Sequence, residues 1–323
     1  MRTVTDEMHV AVAVLQRADG RILVAERPSW RHQGGGLEFP GGKIDPGEAV
    51  EAALARELRE ELGVTLMHAE SLIRVRHRYP DRGVVLHTLL VRDWAGEPHG
   101  LEGQPLAWKN PQDLDPERFP AANRPIVAAL ALPDCCLVTP SRPESDRARV
   151  IAGIDSAIRG GIEMVQLRTP GWSEPVRAEL VGAACELVQS AGRRVRLVVN
   201  ADNPDLLQRF PALSGLHLGA QAASAWDRRM IAPDRMLSCA CHDAAELAHA
   251  ERLGADIALV GHVRATPCHA QQEPLAWDGL EALTAGTALP VYAIGGLAAD
   301  DVAEARRHGA VGIAGIRGLW PAD

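Results

Sequence analysis

The chain has 323 residues, 46% of them apolar and 24% charged, with a formal net charge of −8 at neutral pH. That length suits two domains or one large barrel, and the composition is that of a folded protein rather than a disordered one. The negative charge excludes a protein that coats a polyanion, so no nucleic-acid polymer is expected as partner, whereas a small anion bridged by a metal ion is compatible.

The first segment mixes strands and helices. HVAVAVLQ, a turn at Ala18-Asp19-Gly20 and RILVAER read as strand, turn, strand. Asp45-Pro46-Gly47-Glu48 has the order of a helix start, a helix is expected around Ala49–Leu62, and Gly63 sits where a left-handed helix end wants glycine. Strands at SLIRVRHRY and VVLHTLLVRDW and a short helix at NRPIVAALAL complete an α+β domain over residues 1–132. From residue 133 to 323 the grammar changes. CCLVTP, EMVQLR, RLVVN, GLHLG, MLSCAC, IALVG, VYAIGG and VGIAGI are short apolar strands, most followed by an alanine-rich amphipathic stretch. Such alternation predicts a parallel sheet covered by helices, an α/β (β/α)8 barrel of the TIM type. No apolar run suits a signal peptide or membrane span, and the six cysteines, all at or beyond Cys135, form no disulfide framework. A cytoplasmic protein with reduced thiols and no membrane partner is expected.

The chemistry is concentrated in GGKIDPGEAVEAALARELREELGV, Gly41 to Val64. At 100° per residue, Val50, Ala53 and Leu54 define an inward stripe, Glu57 and Glu61 fall within it, and Glu60 lies at its edge. Carboxylates turned towards the body of a domain must be paired or bound to metal. A hard divalent cation, Mg²⁺ or Mn²⁺, converts their mutual repulsion into coordination.

Gly42, Glu48, Arg56, Glu57, Leu58, Glu60, Glu61, Gly63 and Val64 match the fixed positions of the Nudix box, so this segment resembles the Nudix hydrolases. That family hydrolyses nucleoside diphosphates linked to another moiety. The resemblance implies that Glu57, Glu60 and Glu61, with Gly41, hold Mg²⁺, and that Arg56 and Glu48 pair to brace the loop–helix–loop. LEFPGGKID, YPDR, GEPHGLEGQPLAW and FPAANRPIVAAL extend the likeness to the MutT branch, which removes 8-oxo-dGTP from the nucleotide pool. By position Arg27 and Asn123 then read the oxidised purine, Tyr79 contacts substrate and Glu102 is a further metal-site carboxylate. The reaction implied is attack of water on phosphorus, releasing a nucleoside monophosphate and pyrophosphate. Either Glu57 or Glu102 takes the proton. Asn123 also fits a helix N-cap, and Lys43 is either a phosphate contact or a surface charge.

The second segment resembles the thiamine-phosphate synthase/TenI family through CLVTP, VQLR, GLHLG, AIGGL and GIAGI. The turn at Gly295-Gly296 and the amide of Gly315 suit a phosphate, such as that of a phosphorylated thiazole. The synthase's metal pair reads Asn200-Ala201 here, the acidic position after the HLG strand reads Ala222, and the expected lysine reads Pro170. Synthase activity is therefore not expected. His262, in GHVRATPC, occupies the acid/base position of TenI-type thiazole tautomerases, a reaction that needs one group titrating near neutrality and no metal. Cys239 and Cys241 are read as packing rather than as zinc ligands. The leading expectation is a nucleotide-pool diphosphatase fused to a degenerate or ligand-binding barrel. The alternatives are a hydrolase of damaged thiamin-type diphosphates coupled to a tautomerase, or a barrel that senses a ligand.

Overall fold

The computed structural model describes residues 7–26, 35–80, 82–266 and 272–321. The chain divides into two compact units, Met1–Leu132 with Thr284–Ala288, and Pro133–Leu283 with Leu289–Asp323.

The first unit contains β1 (Glu7–Leu15), β2 (Ile22–Glu26), β3 (Leu37–Glu38), β4 (Gly41–Lys43), α1 (Val50–Leu62), β5 (Thr65–Arg78), β6 (Gly83–Ala95), β7 (Leu106–Lys109) and α2 (Arg124–Leu130). Two sheets form, a mixed one in the order β4-β1-β6-β5 and a small one in the order β3-β2-β7. The turn after β1 therefore does not close a hairpin. The two strands meet at the Gln16–Ile22 bridge and then part into different sheets. Alternation along β1 points Ala11, Ala13 and Leu15 at Ala53, Leu54, Leu58 and Leu62 of α1, and these form one core with Leu89 and Val91 of β6.

Helix α1 begins at Val50 rather than at Asp45, and Ala49 offers its first turn no side-chain cap. Asp45–Glu48 instead close a turn of their own: Glu48 N–H donates to the Asp45 carbonyl at 2.9 Å and Asp45 N–H to Glu48 Oε2 at 3.0 Å. At the other end Gly63 takes the left-handed conformation, with φ 71°, and its N–H reaches the Arg59 and Leu58 carbonyls. Glu57 and Glu61 lie within the arc of the buried residues and are half-buried, whereas Glu60 is exposed.

In the second unit β8 (Cys135–Val138), β9 (Met164–Leu167), β10 (Arg196–Asn200), β11 (Gly215–Leu218), β12 (Met236–Cys241), β13 (Ile257–Gly261), β14 (Val291–Ile294) and β15 (Gly312–Gly315) close into one parallel barrel. Helices α3 (Arg147–Arg159), α4 (Glu174–Ser190), α5 (Asp205–Arg209), α6 (Ala220–Ser224), α7 (Ala244–Arg252), α8 (Ala276–Thr284) and α9 (Val302–Arg307) alternate with them. Leu137, Val165, Leu197, Leu216, Leu237, Val260, Ala293 and Ile313 belong to the core between strands and helices. Cys239 and Cys241 are fully buried in that core as free thiols, pushed up to about 11 and about 12 by burial. Tyr292, fully buried, donates its hydroxyl to the Pro133 carbonyl at 2.5 Å. Among the described residues no helix is long and apolar enough to cross a membrane.

Barrel closure depends on close backbone approach at Gly215, where an added Cβ would lie 1.8 Å from the Met236 carbonyl oxygen. Gly215→Ala should lower barrel stability by about 1–3 kcal/mol, read as a shift in urea midpoint. Gly219, four residues on, has nothing within 4 Å of such an atom. Gly219→Ala should cost less than about 1 kcal/mol, and equal losses in the two variants would refute the steric account.

Candidate functional site

Strand β4 is drawn against α1 by two glycines. Gly41, with φ 143°, leaves no room for a side chain, since an added Cβ would stand 2.1 Å from the Ala11 carbonyl oxygen. Its N–H donates to Glu61 Oε2 at 3.1 Å. At Gly42 an added Cβ would meet the Glu57 carboxyl at 2.3 Å. Glycine is thus required by the backbone at 41, whereas a side chain at 42 would displace the Glu57 carboxyl from its present position.

Arg56 holds the turn before the helix. Its Nε and Nη2 donate to the two carboxylate oxygens of Glu48 at 3.1 and 2.9 Å, its Nη1 to Glu57 Oε1 at 2.6 Å, and Nη2 also to the Lys43 carbonyl at 3.0 Å. The Arg56 guanidinium and the Asp45 N–H hold the Glu48 carboxyl below its ordinary range. Lys43 itself is exposed and contributes its carbonyl to this brace.

Glu61 is the unusual group. Burial pushes its carboxyl up to about 7, the Gly41 N–H partly opposes that, and the charges of Glu102, Glu57 and Glu38 raise it further. Three carboxylates, from α1, β3 and the β6–β7 loop, thus act on Glu61. Glu38 was missed in the sequence, although it stands inside the LEFPGGKID stretch; nothing in local pattern distinguishes it from a strand-end surface charge. Among the described residues no three His, Cys, Asp or Glu side chains stand in position to hold a metal ion. The reason is visible in the contacts: Glu57 is turned onto Arg56 and Glu61 onto Gly41. The donor chemistry nevertheless fits a hard dication, because Glu57, Glu60, Glu61 and Glu102 offer only oxygen and a cation would favour the charged form that burial disfavours at Glu61.

The structure brings two of the proposed substrate contacts together. Tyr79 follows β5, and its hydroxyl accepts the Ala122 N–H at 3.4 Å, next to Asn123. His77 meets the Tyr79 ring edge-on at 4.5 Å, and Phe39 stacks on Phe119 at 5.0 Å. Asn123 stands at the N-cap position of α2, yet its side chain makes no capping bond. Its amide donor and acceptor are not spent on the helix. Arg27 lies outside the described residues.

In the barrel, His262 is buried at the end of β13, with Nε2 3.3 Å from the Gln272 carbonyl, so this nitrogen is the donor. Gly295, with φ 110°, packs on it: an added Cβ would lie 2.5 Å from the His262 Cβ. Gly296 has φ 72° beside Arg264, and at Gly315 an added Cβ would lie 2.8 Å from Leu319 Cγ. Ala201 and Ala222 are partly buried and Pro170 is exposed. Sequence reading missed a polar set on the strands: Gln166, His217 and Ser238 are all buried, with His217 Nδ1 2.8 Å from Ser238 Oγ and Gln166 Oε1 without a partner. The signal was available as polar residues interrupting VQL, LHL and LSC.

The Glu61 shift makes a test of stability. Its folded value of about 7 lies above the ordinary 4.5, so its favourable contribution is intact below pH 4.5 and is lost as pH rises to 7. In chelator-treated protein, Glu61→Gln should match wild type in urea midpoint near pH 4.5 and exceed it increasingly up to pH 7, where the difference levels off. A difference independent of pH would sink the assignment.

Comparison with known proteins gives two family matches on one chain: a NUDIX domain over residues 11–129 and thiamine monophosphate synthase over residues 135–319. The 8-oxo-dGTP diphosphatase of Escherichia coli (strain K12) is 40% identical over 124 residues, 38% of this chain and 96% of the relative. The CTP pyrophosphohydrolase of the same organism is 36% identical over 122 residues, covering 38% of this chain and 90% of its own. A protein of Geobacter sulfurreducens (strain ATCC 51573 / DSM 12127 / PCA) named putative thiamine-phosphate synthase is 33% identical over 172 residues, 53% of this chain and 79% of its own. The chain belongs to the Nudix family through its MutT-like N-terminal segment and to the thiamine monophosphate synthase family through the barrel that follows.

Proposed function

We propose that residues 1–132 form a Mg²⁺-dependent diphosphatase, with Mn²⁺ as a substitute, that hydrolyses 8-oxo-dGTP to the monophosphate and pyrophosphate. Its cellular role would be cytoplasmic: to keep oxidised purine nucleotides out of DNA replication and repair. The observation that carries the reading is the half-buried Glu61 of α1, bonded to the Gly41 N–H and raised to about 7 by burial with Glu102, Glu57 and Glu38 around it. The bound cation supplies neutralisation of the triphosphate and a more acidic water. Glu57, Glu60, Glu61 and Glu102 hold it, with Gly41 alongside. Arg56 and Glu48 fix the turn that presents these groups, and Glu57 or Glu102 accepts the proton from the attacking water. Lys43 contacts phosphate. Tyr79, Asn123 and Arg27 form the base site, and the uncapped amide of Asn123 supports a purine edge that needs both a donor and an acceptor.

The experiment is pyrophosphate release from 8-oxo-dGTP, dGTP, CTP and oxidised thiamin diphosphate. Turnover should be greatest on 8-oxo-dGTP and fall at least about 100-fold in Glu60→Gln and Glu61→Gln with the fold intact by circular dichroism. Asn123→Ala should lower kcat/KM for 8-oxo-dGTP more than for dGTP, by about 10-fold or more. Preference for thiamin diphosphate would instead favour the alternative reading, and equal losses on both purines would leave Asn123 without a role in recognition.

For residues 133–323 we propose a domain that binds a phosphorylated thiazole without efficient synthase chemistry. The unpartnered, buried Gln166 Oε1 is an acceptor in want of a donor, which suits a polar ligand inside the strands. Gly295, Gly296 and Gly315 are the phosphate side of that reading. Ala201, Ala222 and Pro170 leave a diphosphate leaving group without metal ligands or cation. Calorimetry with a thiazole carboxylate phosphate should show binding, and the full-length protein should form no thiamin phosphate from the two synthase substrates. Ring-proton exchange lost in His262→Ala would make the domain a tautomerase, and measurable synthase turnover would refute the assignment.

A further inference from the structure

The β6–β7 loop, residues 96–105, is fastened to the last turn of α1. His99 N–H donates to the Leu62 carbonyl at 3.0 Å and Leu101 N–H to the Glu61 carbonyl at 2.9 Å. These are carbonyls that a helix end leaves without intrahelical partners. A third fastening comes from a side chain. Gln104 Nε2 donates to the same Glu61 carbonyl at 3.2 Å, and Gln104 Oε1 accepts the Glu102 N–H at 2.9 Å. Gln104 is only 9% exposed, so water does not readily replace either bond. Both ends of one amide are thus used, one on the residue that carries Glu61's carboxyl and the other on the residue that carries Glu102's. The contact also demands glycine at position 100, where an added Cβ would stand 2.1 Å from the Gln104 carbonyl oxygen and 3.1 Å from its Oε1.

The geometry points to Gln104 as a positioning residue that sets Glu102 against Glu61, and through them sets the affinity of the carboxylate cluster for its cation. This rests on the reading of that cluster as a metal site. Only a side chain with a donor and an acceptor on one planar group can make both bonds; ionised glutamate lacks the donor, and methionine has no donor and only a weakly accepting sulfur. Without them the Glu102 N–H loses its bond to Gln104, and the loop's remaining backbone fastenings, at His99, Leu101 and Pro105, flank the carboxylate without gripping the residue that bears it. Partners that orient metal ligands in this way are worth about 10- to 100-fold in metal affinity.

The test uses nucleotide-free full-length protein and Mn²⁺ alone, followed by electron paramagnetic resonance, with urea unfolding alongside. Gln104→Met should raise the Mn²⁺ Kd about 10-fold, with the N-terminal unit still unfolding in one cooperative step in urea at a somewhat lower midpoint. Gly100→Ala, which displaces the loop by a different route, should also raise the Kd, with a lower urea midpoint from the backbone clash, and decides the question if Gln104→Met does not fold. In a Glu102→Gln background Gln104→Met should add less than about 2-fold, because its effect runs through Glu102. Unchanged affinity in Gln104→Met, or full additivity in the double variant, overturns the proposal while the metal site stands. Wild-type protein whose Mn²⁺ binding is absent or indifferent to Glu61→Gln overturns the metal reading itself, and this proposal with it.

Discussion

A carboxylate withdrawn from water among other carboxylates is the constraint that organises the N-terminal unit. Glu61 would be costly to ionise where it stands, and burial together with Glu102, Glu57 and Glu38 keeps its carboxyl near 7. The surrounding structure answers that cost at several points. The Gly41 N–H meets Glu61 directly, which requires β4 to run close against both α1 and β1 and hence requires glycine at 41, while a side chain at 42 would displace the Glu57 carboxyl. The Arg56 guanidinium covers Glu57 and anchors Glu48, so the turn before the helix is part of the same arrangement. Even the register of β1 with β4 follows from it, since Gly41 and Gly42 sit opposite Val12 and Ala11.

The barrel treats polar groups differently. Its strands are apolar towards the helices, and the polar residues Gln166, His217 and Ser238 are buried with few partners. Burial lowers His217 to about 4, so it stays neutral at physiological pH and its hydrogen bond with Ser238 Oγ is one between uncharged groups. Buried thiols at Cys136, Cys239 and Cys241 are likewise held as neutral sulfhydryls. No buried charge in this set has to be compensated, and the second unit's counterpart of the Arg56 brace lies elsewhere, where Arg264 donates to both oxygens of Asp301 and Asp301 accepts the Ala298 N–H.

Much of this was legible in the sequence where physics is local. The eight barrel strands are short, mostly apolar runs, three of them interrupted by Gln166, His217 and Ser238, and α1 announces itself through the spacing of Ala53, Leu54, Leu58 and Leu62. Strands β3, β4 and β7 were not legible, because two to four residues such as LE or GGK carry no period and exist only by pairing with distant strands. Strand β5 begins at Thr65, six residues before the run SLIRVRHRY, because register shifts between Leu66 and Ile73 break the alternation. The helix itself starts where expected, at Val50, but the cap signal at Asp45–Glu48 belongs to a separate turn: Glu48 accepts the Asp45 N–H as a capping partner would, and Arg56 ties that turn to the helix. Within the site, glutamates of the helix could be read from their angular positions, whereas Glu38 and Gln104 act through contacts made across the fold.

The two units also differ in how they can meet a phosphate. Polyphosphate chemistry needs positive charge at the leaving oxygen, and a protein can supply it with side-chain cations, with a recruited metal ion, or with backbone dipoles. The N-terminal unit has gathered acidic groups at one helix end, an arrangement that is unfavourable alone and becomes favourable around a dication. The barrel carries Ala201, Ala222 and Pro170 at the corresponding strand ends and retains glycine turns at Gly295 and Gly296, both with positive φ. Backbone N–H groups freed by such turns can hold a phosphate that is already a monoester. Acidic side chains that favour a dication and glycine turns that expose N–H groups are thus two different ways of placing positive potential beside a phosphate oxygen.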